Sequence, residues 1–328
     1  MMVRLGVLIL SGLLLFCVFG LENEGHAAEP YPVKPINFIV PNEAGSGADF
    51  LARPLVQRVS TMLGKPIVVV NKPGAGSSIG FREVYGAKPD GYTLGMGHPT
   101  IIINKLAGIL PYDHNAFTVL GTYATFIPII VASAKTQRPF KTLEEALSFS
   151  KSHPGEVSIA TSNVGGSMWI ATLVFEGGTG QKFNIIPQAG TGAFAIAQVA
   201  GGHADLAVVD FAASKSQIEA GNVRFIAVFG SRKAPGYEGV PTMKELGYKV
   251  NWESTQILIG PPKMPREIVD RLVKAFEGSA NDPEFKKFVI ERNAVPFYLP
   301  PEKAVQYFDE LKTIVRPIMD KAGILKEK

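Results

Sequence analysis

Three times along this chain a short apolar segment runs directly into a glycine-rich, hydroxyl-bearing turn and then a helix. Ile36–Val40 leads into PNEAGSGAD, Val157–Ala160 into TSNVGGSM, and Asn184–Ile186 into PQAGTGAF. A chain that repeats this step builds βα units, and therefore parallel strands covered by helices. Each turn aims the N–H groups of a helix start at whatever lies beyond the strand end. Those donors have no partner inside the helix, and the helix dipole adds partial positive charge. The result is an anion site that needs no arginine. Ligands of open α/β sheets sit outside the carboxyl ends of the strands, where these turns must lie. The side chains at the turns are Asn42 and Ser46, then Thr161, Ser162, Asn163 and Ser167, then Gln188 and Thr191. Asp210 ends a further strand segment, Leu206–Val209, and reads equally as a ligand group or as a cap for the helix that follows.

The chain has 328 residues, more than one core fills comfortably, so two lobes are expected. The 33 basic and 29 acidic residues leave +4, with no basic block and no interleaved aromatics. That pattern argues against nucleic-acid binding. Arg4 precedes an apolar run from Leu5 to Gly20, and small residues follow at Gly25-His26-Ala27-Ala28. This pattern is that of a signal peptide, residues 1–28, cleaved after Ala27 or Ala28, so the mature chain is expected to be exported. Cys17 is the only cysteine and falls in that leader. Phe16 stands where a lipidated cysteine needs a small residue before it. The mature chain then has no disulfide, no thiolate metal site and no cysteine nucleophile.

Alternating Val/Ile-rich runs and amphipathic stretches place strands at Ile36–Val40, Ile67–Val70, Thr93–Met96, Ile127–Ala132, Val157–Ala160, Asn184–Ile186, Leu206–Val209, Phe225–Phe229 and Ile257–Ile259. Helices are expected at Asp49–Leu63, Ser78–Ala87, Leu143–Ser152, Ser167–Glu176, Ala193–Ala200, Ser214–Ala220, Pro265–Asn281, Pro283–Arg292 and Pro301–Ala322. The first helix carries Phe50, Leu51, Leu55, Val59 and Met62 as one buried face. Extended stretches at 126–132 and 253–260 read as crossings between lobes. Lobe 1 is then discontinuous, 29–125 plus 253–328, with lobe 2 spanning 126–252. Two crossing strands permit a hinge, and ligands bind at such interfaces.

Gly76-Ser77-Ser78-Ile79-Gly80 matches the G-x-S-x-G expression of serine hydrolases, making Ser78 a rival nucleophile. The elbow needs its serine directly after a strand, and Asn71–Ala75 intervene here. Only His98 and His114 remain as bases with no turn assignment. Gly45-Ser46-Gly47 and Gly74-Ala75-Gly76 begin dinucleotide fingerprints that neither completes. No phosphate-loop lysine and no metal-ligand spacing appear, so no cofactor and no metal are expected.

Several stretches together resemble the periplasmic solute-binding proteins of tripartite tricarboxylate transporters, the Bug family. They are Val70-Asn71-Lys72-Pro73-Gly74-Ala75-Gly76 with Ile79-Gly80, Lys88-Pro89-Asp90-Gly91-Tyr92-Thr93-Leu94, Leu110-Pro111-Tyr112-Asp113, Gly201-Gly202-His203-Ala204-Asp205-Leu206, Ile218–Gly221, Val240-Pro241-Thr242, and Pro265 with Ile268–Leu272. The resemblance runs from Tyr31 nearly to the C-terminus. It implies an α/β type II periplasmic binding protein fold, two lobes joined by two crossing strands, acting as a monomer and without catalysis. It further implies a small organic acid held by main-chain amides from both lobes and delivered to a permease of one large and one small subunit. A sensor kinase is the alternative recipient. With the resemblance the site comprises Asn42, Ala44, Gly45, Ser46, Asp49, Thr161, Ser162, Gly165, Gly166, Ser167, Gln188, Gly190, Thr191 and Asp210. This chain departs from the family pattern at Asn42 and Ser46, at Trp169, at Gln188-Ala189 and at Phe211, which bears on the non-carboxylate end of the ligand. Ser167→Ala is expected to weaken binding by one donor and leave the fold intact.

Overall fold

The computed structural model describes residues 31–188, 192–234 and 236–327. The leader, and Gly190 and Thr191 of the third turn, lie outside the described residues. The chain runs β1 (Ile36–Val40), α1 (Gly47–Leu63), β2 (Ile67–Asn71), α2 (Ser78–Tyr85), β3 (Thr93–Gly97), α3 (Thr100–Leu106) and β4 (Thr118–Phe126). It continues through β5 (Pro128–Ser133), α4 (Leu143–Ser152), β6 (Ser158–Thr161), α5 (Ser167–Thr179), β7 (Asn184–Pro187), α6 (Gly192–Ala200), β8 (Leu206–Asp210), α7 (Phe211–Glu219) and β9 (Val223–Val228). The last part is β10 (Ser254–Gly260), α8 (Arg266–Asn281), α9 (Pro283–Glu291), β11 (Val295–Pro296) and α10 (Pro301–Lys321).

These strands form two mixed sheets, ordered β11-β4-β10-β3-β1-β2 and β7-β6-β8-β5-β9. In the first, β1 is parallel to β2 and β3, while β10 runs antiparallel to both β3 and β4. In the second, β6 is parallel to β7 and β8, and β5 runs antiparallel to β8 and β9. The α/β class and the two-layered pairing of sheets with helices follow the sequence pattern. Helix α10 buries Phe308, Leu311, Val315 and Met319 and packs against α3 and α5, so the C-terminal helix touches the helices of both sheets.

Four local readings need correction. β4, a nine-residue strand, is absent from the expected set because its threonines and Gly121 hide a segment whose central residues are all buried. α3 is a helix where Ile101-Ile102-Ile103 gives no periodicity to separate helix from strand. α7 starts at Phe211 rather than Ser214, because the Asp210 side chain accepts the Ala213 N–H and caps a helix at the strand end itself. On α1, Phe50 and Met62 are 48% and 53% exposed. The buried stripe is Leu51, Ala52, Leu55, Val56, Val59 and Leu63, and Phe50 lies at its margin under the Arg292 guanidinium, 5.6 Å away.

Candidate functional site

The topology brings the carboxyl ends of strands from both sheets to one place. β1 and β3 end at Val40 and Gly97; β10, antiparallel to β3, begins at Ser254 on that same edge, paired with Phe126 at the end of β4. In the second sheet β8 ends at Asp210, opposite Pro128 at the start of β5. Only Ile127 separates Phe126 from Pro128. The turn after β1 and the turns after β6, β7 and β8 therefore open toward the same crossing.

In the first turn, Ser46 caps α1 by accepting the Asp49 N–H on its hydroxyl at 3.3 Å. Asp49 is 2% exposed, and its carboxylate accepts from Gly45 N–H, Arg53 Nε and Nη2, and Asn71 Nδ2, each at 2.9 Å. Burial alone would raise the Asp49 carboxyl, but these hydrogen bonds outweigh it and hold the group below its ordinary range. Asp49 and the Gly45 amide thus pair with each other and hold the turn together. Gly45 sits at φ 81°, a conformation that favours glycine. Among the described residues, the N–H groups of Gly47 and Ala48 at the head of α1 have no acceptor. Ala44 is exposed, Asn42 and Ser46 half-buried, and the Asn42 Oδ1 atom is buried without a partner.

In the second turn, Ser162 Oγ accepts the Trp169 N–H at 3.1 Å, so this serine caps α5 from within its own loop. A Cβ at Gly166 would come 2.7 Å from that oxygen, so the position has no room for a side chain. Thr161 is fully buried and accepts from Thr172 Oγ1. Ser167 Oγ accepts from the indole of Trp252 at 3.1 Å, and Trp252 is fully buried beside the second crossing. Ser167→Ala would strand that indole N–H, which corrects the expectation of an unaffected fold. The N–H groups of Ser167 and Met168 have no acceptor among the described residues.

Gln188 is half-buried, and its side chain donates to the Ile186 carbonyl. A Cβ on Gly192, the first residue of α6, would lie 3.6 Å from Asp210 Oδ2, so this carboxylate stands at the head of two helices. Trp169 and Phe211 are 8% and 3% exposed and belong to the core. Phe211 packs on Phe225 and Tyr237, at 5.6 and 4.8 Å between ring centres. Both departures from the family pattern are thus filled by packed rings.

The Ser78 constellation does not form. Ser78 is buried at the first position of α2, with six residues between it and the end of β2, and His98 bonds Ser77 Oγ at 3.2 Å instead. The other His98 nitrogen meets Thr100 Oγ1 at 2.7 Å, so a hydroxyl stands where a triad carboxylate would be needed. Burial pushes the His98 imidazole down to about 4.

Sequence reasoning named the second crossing but missed the buried carboxylate at its head. Glu253 is 4% exposed, its carboxyl pushed up by burial, with Arg232 Nη1 at 3.1 Å and the Tyr307 hydroxyl at 3.4 Å. The signal was a run of polar residues at the head of an apolar strand. A shallow depression of about 760 Å³, lined by Lys34, Asn37, Arg82, Lys88 and Tyr92 among others, lies at the opposite, amino-terminal edge of the first sheet. The carboxyl edge is where ligands of such sheets bind, so the depression is not the site.

Two mixed sheets joined through Ile127, with two acceptor-free helix N–H groups on each side, are the architecture of a periplasmic binding protein. The model of the tripartite tricarboxylate transporter family receptor, TctC, matches residues 51–324, and the chain belongs to that family. BugT of Bordetella pertussis is 30% identical over 240 residues, 72% of this chain and 73% of that protein. A TctC solute-binding protein from Polaromonas superposes with a TM-score of 0.77 at 28% identity, covering 89% of this chain and 99% of that one. An R. palustris protein solved with adipate gives a TM-score of 0.76 at 25% identity, covering 90% and 99%.

Proposed function

We propose that this chain is a periplasmic receptor that captures a small organic carboxylate between its two lobes and hands it to a membrane permease of one large and one small subunit. The observation that carries the reading is the pair of helix heads, α1 and α5, each with two N–H groups lacking an acceptor, on the two edges that share one crossing. A helix terminus contributes about 0.3–1 kcal/mol toward an anion, up to ~2 when partly buried. Micromolar affinity needs about 8 kcal/mol. One turn is insufficient, so donors from both lobes and apolar burial must combine, at roughly 1.5–3 kcal/mol per charge-assisted hydrogen bond. That requirement makes capture depend on the lobes closing together. The relative solved with adipate supports a carboxylate as the ligand class.

Residues 1–28 act as the export signal, and no helix among the described residues is long and apolar enough to cross a membrane. Isothermal titration with short mono- and dicarboxylates, adipate among them, tests the proposal. Binding is expected for at least one acid and is expected to vanish for its methyl ester. Equal binding of acid and ester would refute a site built on anion-seeking amides. Turnover of activated esters, abolished by Ser78→Ala, would replace the receptor reading with a hydrolase.

A further inference from the structure

We infer that Gln256 reads a hydrogen-bond donor on the ligand, so that the solute is a carboxylate bearing a hydroxyl or ammonium group on a neighbouring carbon. The inference rests on the proposal that the α1 edge holds a carboxylate. Gln256 is 1% exposed on β10, and its Oε1 is buried with no partner among the described residues. Buried side-chain acceptors in folded proteins are nearly always satisfied, and an orphan needs an explanation.

The place of this orphan follows from register. Ser254 pairs with Phe126 and Gln256 with Ala124, with no irregularity between them, so these side chains share one face of the first sheet. A Cβ on Gly47 would lie 3.3 Å from the Phe126 ring, which puts the head of α1 on that same face at that edge. The Gln256 Nε2 donates to the Ser254 carbonyl at 2.7 Å, folding the amide back along the strand toward the crossing. The same bond fixes which atom is which. Turning the amide over would set its oxygen against the Ser254 carbonyl, so the orphan is an acceptor. The amide therefore lies on the face, and is folded toward the edge, that also carry the acceptor-free N–H groups of Gly47 and Ala48 and the turn with the second orphan, Asn42 Oδ1.

The chemistry of the two parts differs. Gly47 and Ala48 donate, which suits carboxylate oxygens. Gln256 Oε1 accepts, which no ionised carboxylate can satisfy. A ligand with O–H or N–H beside its carboxylate fills both, whereas a plain dicarboxylate such as adipate leaves the glutamine unpaired. A site built to pair a ligand donor rejects the analogue lacking it, because its own buried group is then stranded.

Calorimetry on matched pairs tests this: malate against succinate and lactate against propionate for a hydroxyl, aspartate against succinate and alanine against propionate for an ammonium. The wild-type protein is expected to prefer the donor-bearing member of at least one pair tenfold or more, and the pair that discriminates tells hydroxyl from ammonium. Gln256→Met is expected to bring that preference within threefold while the donor-free acid keeps its affinity. If Gln256→Met does not fold, the wild-type pairs decide. Indifference of the wild type in every pair that binds would overturn the inference and assign the orphan to an ordered water, leaving the carboxylate proposal standing. Persistence of the preference in Gln256→Met would overturn it as well. Failure of every acid to bind would remove both.

Discussion

His98 gives a quantitative test of how the first sheet is built beneath the site. Its imidazole is 7% exposed, bonded through one nitrogen to Ser77 Oγ and through the other to Thr100 Oγ1, with the Phe81 ring edge-on at 5.8 Å. A neutral imidazole offers one donor and one acceptor, and two hydroxyls satisfy both. A protonated ring would need two acceptors and a counter-charge in a desolvated place. Burial therefore pushes its pKa from 6.5 to about 4. The sign follows by linkage. As pH falls below 6.5 the unfolded chain binds a proton that the folded protein refuses, so stability present in full above 6.5 declines until pH passes the folded value near 4. At about 1.4 kcal/mol per pH unit, the whole loss is on the order of 3 kcal/mol. Urea unfolding of the ligand-free wild type and of His98→Gln, stepped from about pH 7.5 to about pH 4.5, measures it. At neutral pH the variant is expected to be weaker by about 1–3 kcal/mol, since glutamine reproduces the two hydrogen bonds poorly. That gap should close, and then reverse, as the pH falls. His114, also held down by burial, is present in both proteins and cancels in the difference. A gap that stays constant with pH would mean that His98 titrates alike in both states, and the buried cluster would be wrong.

Three further outcomes follow from contacts around the turns. Asp49→Ala removes the acceptor of four hydrogen bonds and should cost about 2–4 kcal/mol at neutral pH, Arg53 counting for less because it is half exposed. Because the Asp49 pKa is depressed, the wild-type advantage in urea unfolding should fade as pH falls through that pKa, and an equal gap at pH 7 and in acid would count against the network. Gly80→Ala would place a Cβ 2.7 Å from Pro41 Cβ and 2.9 Å from its Cα; a loss of about 1–3 kcal/mol is expected with weaker ligand binding, while Gly177→Ala, with nothing within 4 Å, should gain about 0.5–1 kcal/mol in thermal unfolding. Ser167→Ala strands the buried Trp252 indole and should cost about 1–3 kcal/mol; Trp252→Phe on that background should recover part of it, and simple additivity of the two would remove the bond from the account.

The fold was legible because its strands and helices announce themselves locally. Ile36–Val40, Leu143–Ser152 and the proline-headed helices at 283 and 301 need only period and caps. β4 was not legible, since a strand with both faces buried needs no alternation and its threonines are satisfied by distant groups, Thr122 Oγ1 by the Phe297 carbonyl and Thr125 Oγ1 by Thr255. The turns were legible as turns, while the assignment of individual amides was not. Whether Gly45 N–H points at a ligand or at Asp49 depends on a carboxylate four residues on, itself positioned by Arg53 and by Asn71 from a neighbouring strand. Gln256 was invisible for the same kind of reason, because nothing in the sequence says which polar side chain at a strand head will be left without a partner.

The single buried residue between β4 and β5 has a mechanical meaning. Ile127 supplies no contour length to take up slack, so any rotation of one sheet against the other is concentrated in the torsions of a few neighbouring bonds. A pair of glycines inserted there would lengthen that path and spread the rotation over more bonds.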